Sequence, residues 1–245
     1  MPRWRRGTIM DTIDRRATSA DAAARLLIWL SPAFPVGAYG YSHGLEHAVE
    51  AGLVSDRETL VGWVEGILRH GAGRADGMFL LAAHRAVLAS DSNELLRVGE
   101  LAAAMRGSAE LALESTAQGG AFLKATGSGW PRLAQAPILR TLAATPALTY
   151  PIAVGAVTAV AGIAETSVLY AYLTAFCGNL VSSALRLAPI GQSQGLAAVA
   201  ALEPTIADQV ALLRAAPFET ISSAALMVDW CSMKHETQET RLFRS

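Results

Sequence analysis

Residues 141–185 read TLAATPALTYPIAVGAVTAVAGIAETSVLYAYLTAFCGNLVSSAL, and Glu165 is the only charge among them. The uncharged runs on either side of it, 141–164 and 166–185, are long enough to cross a bilayer. Their composition argues for another environment. Pro146, Pro151, Gly155 and Gly162 interrupt the first run. Both runs are padded with Ala, Thr and Ser rather than Leu, Ile and Phe, and no Lys/Arg cluster brackets either one. Such runs predict helices enclosed by other helices, the centre of a bundle rather than a membrane protein.

Outward from this centre the apolar spacing stays helical. Tyr41, Leu45, Ala48, Val49 and Leu53 fall on one helical face. Ser55-Asp-Arg-Glu58 reads as a capping box that starts the next helix, with Leu60, Val61, Val64, Ile67 and Leu68 as its buried stripe. Further helices are predicted around 75–90, 93–106, 108–126, 149–164, 166–186, 192–202, 205–216 and 218–231. Asp91-Ser-Asn93, Gly127-Ser-Gly-Trp-Pro131 and Glu203-Pro204 serve as breaks between them. No stretch alternates as a strand between turn signals, and no internal repeat or domain linker appears. The expectation is an all-α, single-domain bundle of about ten helices over 18–232. A disordered lead-in over 1–17 precedes it, with Met1 or Met10 as the start, and a separate tail over 233–245 follows.

The 245 residues are 52% hydrophobic and 17% charged, with a formal net charge of −1, and the mean hydropathy is +0.31. Such a chain has no global field to draw in nucleic acid or an anionic membrane. Cys177 and Cys231 lie in apolar helical surroundings without a CxxC neighbour, the pattern of buried free thiols in a cytoplasmic protein. The lead-in carries five arginines but no apolar core, so it is not a secretory signal.

Catalytic chemistry finds no foothold. There is no GxSxG elbow and no phosphate loop, neither cysteine has a nucleophile's context, and carboxylates are scattered along helices. His43 and His47 stand at i, i+4, the spacing of two ligands on one metal, but without a third ligand pattern they read as helix-surface histidines. His235 beside Glu236 does not make a metal site either. No cofactor and no metal are expected; a helical enzyme with a hidden site and a small membrane protein are the competing readings.

Three segments are irregular. Ser31-Pro-Ala-Phe-Pro-Val-Gly-Ala-Tyr-Gly-Tyr-Ser-His-Gly44 packs two prolines and aromatic Phe34, Tyr39 and Tyr41 between helices, as a buried loop or a docking surface. Arg186-Leu-Ala-Pro-Ile-Gly-Gln192 turns the chain after the second uncharged run. Arg186 there is placed to cap a helix C-terminus, and Gln192 to satisfy backbone groups or meet a partner. The tail Met233-Lys-His-Glu-Thr-Gln-Glu-Thr-Arg-Leu-Phe-Arg-Ser245 is mostly polar, yet Leu242 and Phe243 sit between Arg241 and Arg244. It reads either as a frayed end or as a peptide that orders on a partner.

These segments together resemble the urease accessory protein UreF family. The likeness rests on Leu26-Leu-x-Trp-Leu-Ser-Pro-Ala-Phe-Pro-Val-Gly37, Tyr41-Ser-His-Gly-Leu-Glu46, Tyr150-Pro151, Arg186-Leu-x-Pro-Ile-Gly-Gln192 and the tail Met233-x-His-Glu-x-Gln-x-x-Arg-Leu-Phe-Arg-Ser245, in that order. Residues 70–148 carry no motif. The resemblance implies a non-catalytic, homodimeric adaptor for nickel insertion into apo-urease. Its partners would be a UreD/UreH-like accessory protein and a UreG-like GTPase. On the same grounds His235, Glu236, Arg241, Leu242, Phe243 and Arg244 would dock on the UreD-like partner, with Arg186, Gln192 and Tyr39 near the same or the GTPase-facing surface. The tail is then expected to be mobile until that partner binds.

Overall fold

The structure is a computed structural model that describes residues 19–245, Ser19 through its backbone alone. The lead-in over 1–17 lies outside the described residues. The helices are α1 (Ser19–Trp29), α2 (Leu45–Glu50), α3 (Arg57–His70), α4 (Ala72–Leu88), α5 (Ser92–Ala104), α6 (Ala109–Gly129), α7 (Pro131–Ala134), α8 (Pro137–Ala143), α9 (Tyr150–Val160), α10 (Glu165–Leu187), α11 (Gln192–Ala215) and α12 (Leu226–His235). Single 3₁₀ turns occupy Ala38–Gly40 and Phe218–Thr220, and no strand occurs among the described residues. The fold is all-α.

The stretch 141–185 lies at the centre only in part, since most of 141–147 is exposed and α10 keeps an exposed side. Its first run does not form one long rod: it ends α8, loops past Pro146, and forms the eleven-residue α9. Every residue of α9 from Pro151 to Ala159 is buried, against α4 on one side and α6 on another. A helix enclosed in this way needs no polar face. The contact with α4 is backbone on backbone, for a Cβ built at Gly155 would lie 2.4 Å from the Leu80 carbonyl oxygen. Helices α10 and α11 are long and apolar enough to cross a membrane. In the bundle they pack on each other, with α10 also against α4 and α11 also against α3, and Thr166, Ser167, Thr174 and Ser182 of α10 lie on its more exposed side.

Several boundaries differ from those predicted. The N-cap of α3 is Asp56, one residue later than expected. Its carboxylate accepts from the Thr59 N–H at 2.9 Å, and the Thr59 hydroxyl returns to the Asp56 N–H at 3.1 Å, so Thr59 takes the place assigned to Glu58. Glu203-Pro204 is no break, because α11 runs through Pro204. Thr205, Ile206, Val210 and Leu213 continue the buried face begun by Ala198 and Leu202, and that burial outweighs one missing backbone bond. The break expected at 127–131 is narrower, since α6 runs on to Gly129, and 131–143, to which no helix was assigned, contains α7 and α8, each started by a proline at its first position. The last helix begins at Leu226 rather than 218 and continues to His235, because residues 221–225 run without helix past α3, where the Ala224 N–H meets the His70 carbonyl at 2.6 Å. The stripe from Tyr41 to Leu53 supplies only the short α2, since His43 and Gly44 both adopt positive φ and turn the chain just before it.

Glu165 ties the outer helices together. Arg85 of α4 grips it with bonds of 2.8 and 3.1 Å, and Arg214 of α11 lies 3.6 Å away. The hydrogen bonds from Arg85, working against the cost of burial, hold the Glu165 carboxyl below its ordinary value of 4.5. A carboxyl depressed on folding stabilises the native state above its unfolded value and loses that contribution as pH falls through the folded one. Arg85→Met is therefore expected to be slightly less stable than the parent near neutrality, by under about 1 kcal/mol for so exposed a pair. The difference should shrink as pH drops below 4.5. Urea titrations at several pH values would show it; a deficit that grows in acid would contradict the assignment.

Candidate functional site

The three irregular segments meet in the folded chain, and the tail is laid into the bundle rather than left loose. Three glutamates receive it. Glu46 stands in the first turn of α2, while Glu110 and Glu114 stand one turn apart at the start of α6. All three are more than nine-tenths buried. The Glu46 carboxylate accepts the backbone N–H groups of Leu242 at 2.6 Å and Phe243 at 2.9 Å. Glu110 accepts from Arg241 at 2.9 Å, and Glu114 accepts the Ser245 hydroxyl at 2.9 Å while its other oxygen meets Gln118.

His235, fully enclosed at 0% exposure, joins two of these carboxylates. Its Nδ1 is 2.7 Å from Glu110 and its Nε2 is 3.0 Å from Glu46. Each ring nitrogen lies within hydrogen-bond distance of a carboxyl oxygen, so the ring bridges the two glutamates. Buried carboxylates are tolerated only when paired and hydrogen-bonded. His235 and Arg241 supply that pairing from the tail itself.

The rest of the segment is stitched to the 40–42 stretch. The Arg244 N–H donates to the Gly40 carbonyl at 2.9 Å, and the Ser42 N–H and hydroxyl both donate to the Ser245 carbonyl. The Phe243 ring, 4% exposed, lies under the Arg186 guanidinium at 4.2 Å. Arg186 also donates to the Tyr39 carbonyl at 2.9 Å, the Ser183 hydroxyl at 3.2 Å and the Ser182 carbonyl at 3.3 Å. It thus holds the proline-glycine loop, the end of α10 and the tail in one place, which is more than the helix cap expected of it.

The α12 junction is equally specific. Ser108 caps α6 by accepting from the Leu111 N–H and lies 2.7 Å from the Ser232 hydroxyl. Glu236 takes the neighbouring Ala109 N–H at 3.0 Å. At Gly44, with φ of 76°, an added Cβ would lie 2.9 Å from the Ser232 nitrogen, so only glycine lets α2 approach α12.

The tail, expected to be mobile until a partner binds, follows a defined path against the body of the chain. Its partners for charge and for apolar burial already exist within the chain. His235 and Phe243, expected on a partner, are consumed by the fold. Glu236, Arg241 and Arg244 are exposed but bonded to the body through side chain or backbone. Tyr39, Gln192 and Leu242 face outward, Leu242 at 63% exposure. His43 and His47 part company: His43 approaches Glu114 at 3.4 Å, whereas His47 stacks edgewise on Trp230. Among the described residues no group of three or more His, Cys, Asp or Glu side chains is placed to hold a metal. Cys177 and Cys231 are buried and free, and burial pushes their thiols up to about 12 and about 11.

The sequence reading missed Glu46, Glu110 and Glu114 as the tail's receptors. Helix α12, predicted as a helix, turns Leu226, Met227, Trp230 and Met233 outward, Leu226 at 78% exposure. Their i, i+1, i+4, i+7 spacing marks one face, but spacing alone does not say whether that face looks inward or outward.

Comparison with known proteins gives the family. A family model described as UreF matches residues 54–203. The urease accessory protein UreF of Methylorubrum populi is 48% identical over 223 residues, 91% of this chain and 99% of the relative. Its counterpart from Rhodopseudomonas palustris strain BisB5 is 45% identical over 238 residues, 96% of this chain and 97% of the relative. That of a Bradyrhizobium species is 45% identical over 226 residues, covering 91% and 92%. These alignments span nearly the full length of both partners, so the chain belongs to the UreF family of urease accessory proteins.

Proposed function

We propose that this chain is a cytoplasmic, homodimeric adaptor that works by binding rather than catalysis. With a UreD/UreH-like accessory protein and a UreG-like GTPase it promotes nickel insertion into apo-urease. The observation that carries the reading is the outward apolar surface of the chain's last twenty residues. Leu226, Met227, Trp230, Met233 and Leu242 are all exposed, and a large exposed apolar patch on a folded protein marks an interaction site. The tail that carries Leu242 is fastened from beneath by Glu46, Glu110 and Glu114. A surface held in place in this way has a lower ordering cost on association. In this reading the UreD-like partner meets Leu242 and the α12 stripe. His235 and Phe243 serve by shaping the surface, and Tyr39, Arg186 and Gln192 extend it toward the GTPase.

The test is a co-purification. Met233→Asp combined with Leu242→Asp changes only exposed side chains and should preserve helicity and melting temperature. Retention on a tagged UreD homologue should fall by more than about tenfold, since central apolar contacts of this kind each cost over ~1 kcal/mol when lost. Urease co-expressed with the variant should contain correspondingly less nickel. Full retention of the partner would refute the docking face; normal nickel content despite lost retention would refute the adaptor role.

A further inference from the structure

A second surface lies away from the tail's contacts, where the C-terminal half of α6 faces α7 and α8. The two sides enclose a groove of about 440 Å³, within the size range of recognition pockets. Its floor is leucine: Leu139, Leu142 and Leu148 are buried at its base, and half-buried Leu123 and Leu133 form the walls. Lys124 and Arg140 are exposed at its rim. No carboxylate lines it. The absence of acid is regional, since no Asp or Glu occurs between Glu114 and Glu165, an interval that contains Lys124, Arg132 and Arg140.

Gly120 lines the same groove. It sits well inside a helix of 21 residues, yet a Cβ there would meet nothing within 4 Å. Glycine weakens a helix relative to alanine, and nothing within the chain requires its smallness at that position. Helical Gly62, Gly66, Gly99 and Gly178 are equally open, so the observation at Gly120 is one of room beside the groove. Its neighbour Gly119 differs, because an added Cβ there would run into the Leu148 carbonyl.

We propose that this groove is a docking site for an acidic amphipathic helix of a partner protein. Leucine- or phenylalanine-sized anchors occupy the leucine floor, the helix backbone passes close to Gly120, and flanking carboxylates pair with Lys124 and Arg140. Apolar anchors in a groove supply affinity, and the cationic rim selects the sign of the partner's charge. The site is separate from the face assigned above to the UreD-like partner, and its test does not depend on that assignment.

The probes are two fluorescent helical peptides with the same leucine stripe, one flanked by glutamates and the other by lysines, titrated into the full chain. The acidic peptide should bind at least about tenfold more tightly than the basic one, as two rim charge pairs allow. In the double variant Lys124→Glu, Arg140→Glu the preference should invert. Gly120→Leu, which projects a side chain into open space, should weaken both peptides without lowering the melting temperature, and so separates a blocked groove from a damaged fold. Equal binding of the two peptides, no binding of either, or an unchanged preference in the charge-reversed variant would overturn the proposal. Saturable binding of dodecanoate without binding of the acidic peptide would also overturn it, by assigning the groove to a small acid.

Discussion

His235→Ala should be among the most destabilising single substitutions in this chain, lowering unfolding free energy by about 3–5 kcal/mol, the usual cost of removing one partner from a buried ion pair. The ring fills a fully enclosed site between Glu110 at 2.7 Å and Glu46 at 3.0 Å. Alanine would leave two buried carboxylates without their shared donor and open a void between them. Glu110 would keep Arg241, while Glu46 would keep only the Leu242 and Phe243 N–H groups. For a domain whose whole stability is on the order of 5–15 kcal/mol, such a loss moves the urea midpoint far toward zero. His235→Gln retains one amide donor and a similar volume, so it should lose clearly less. Trypsin would report the local consequence, cutting at Arg241 and Arg244 much faster in the alanine variant. A loss under about 1 kcal/mol would mean that the carboxylates are not held as a buried charged cluster.

The same cluster shows which parts of the molecule were legible in the sequence. The all-helical fold was, because uncharged runs interrupted by proline and glycine can be stable only when helices enclose them, and α9 is enclosed in this way. Local chemistry was legible to within a residue or two. A capping box was evident before α3, but Ser55 and Asp56 are both good caps, and only the backbone decides between them. Pro131 was visible as part of a breaker, and a proline is also the preferred first residue of a helix, the place Pro131 takes in α7 and Pro137 in α8. Pro204 shows the opposite outcome, since continuous burial along α11 overrides the penalty.

The destination of the tail was not legible. Its receptors lie between 125 and 197 residues away along the chain, and no local pattern links a histidine near the C-terminal end to glutamates in α2 and α6. Composition identified Leu242 and Phe243 as anchors without showing that one faces in and the other out. The chain bends at these two residues, bringing both N–H groups onto Glu46, and their side chains part there. The fold uses Phe243 and leaves Leu242 exposed. A motif that looked wholly devoted to a partner is therefore divided: some of its residues build the surface that the remaining ones present.

The second large effect is expected at the centre of the bundle, at Gly155. There the α9 backbone lies so close to α4 that an added Cβ would sit 2.4 Å from the Leu80 carbonyl oxygen and 3.2 Å from the Ala83 Cβ. The first of these neighbours is backbone, which cannot rotate aside, so the helices must separate to admit any side chain. Gly155→Ala gains up to about 1 kcal/mol of helix propensity and loses about 1–3 kcal/mol to overpacking, for a net fall in stability. Gly155→Leu adds three further heavy atoms where almost every neighbour is buried, and should lose more than about 3 kcal/mol or fail to fold. Gly120 supplies the contrast. It too lies within a helix, but its Cβ position is open, so Gly120→Ala should raise stability by as much as about 1 kcal/mol. Thermal and urea unfolding of the three variants would then show opposite signs for the same change at two helical glycines. If Gly155→Ala matched Gly120→Ala, the contact between α4 and α9 could not be backbone on backbone, and the tight centre inferred from residues 141–185 would have to be abandoned.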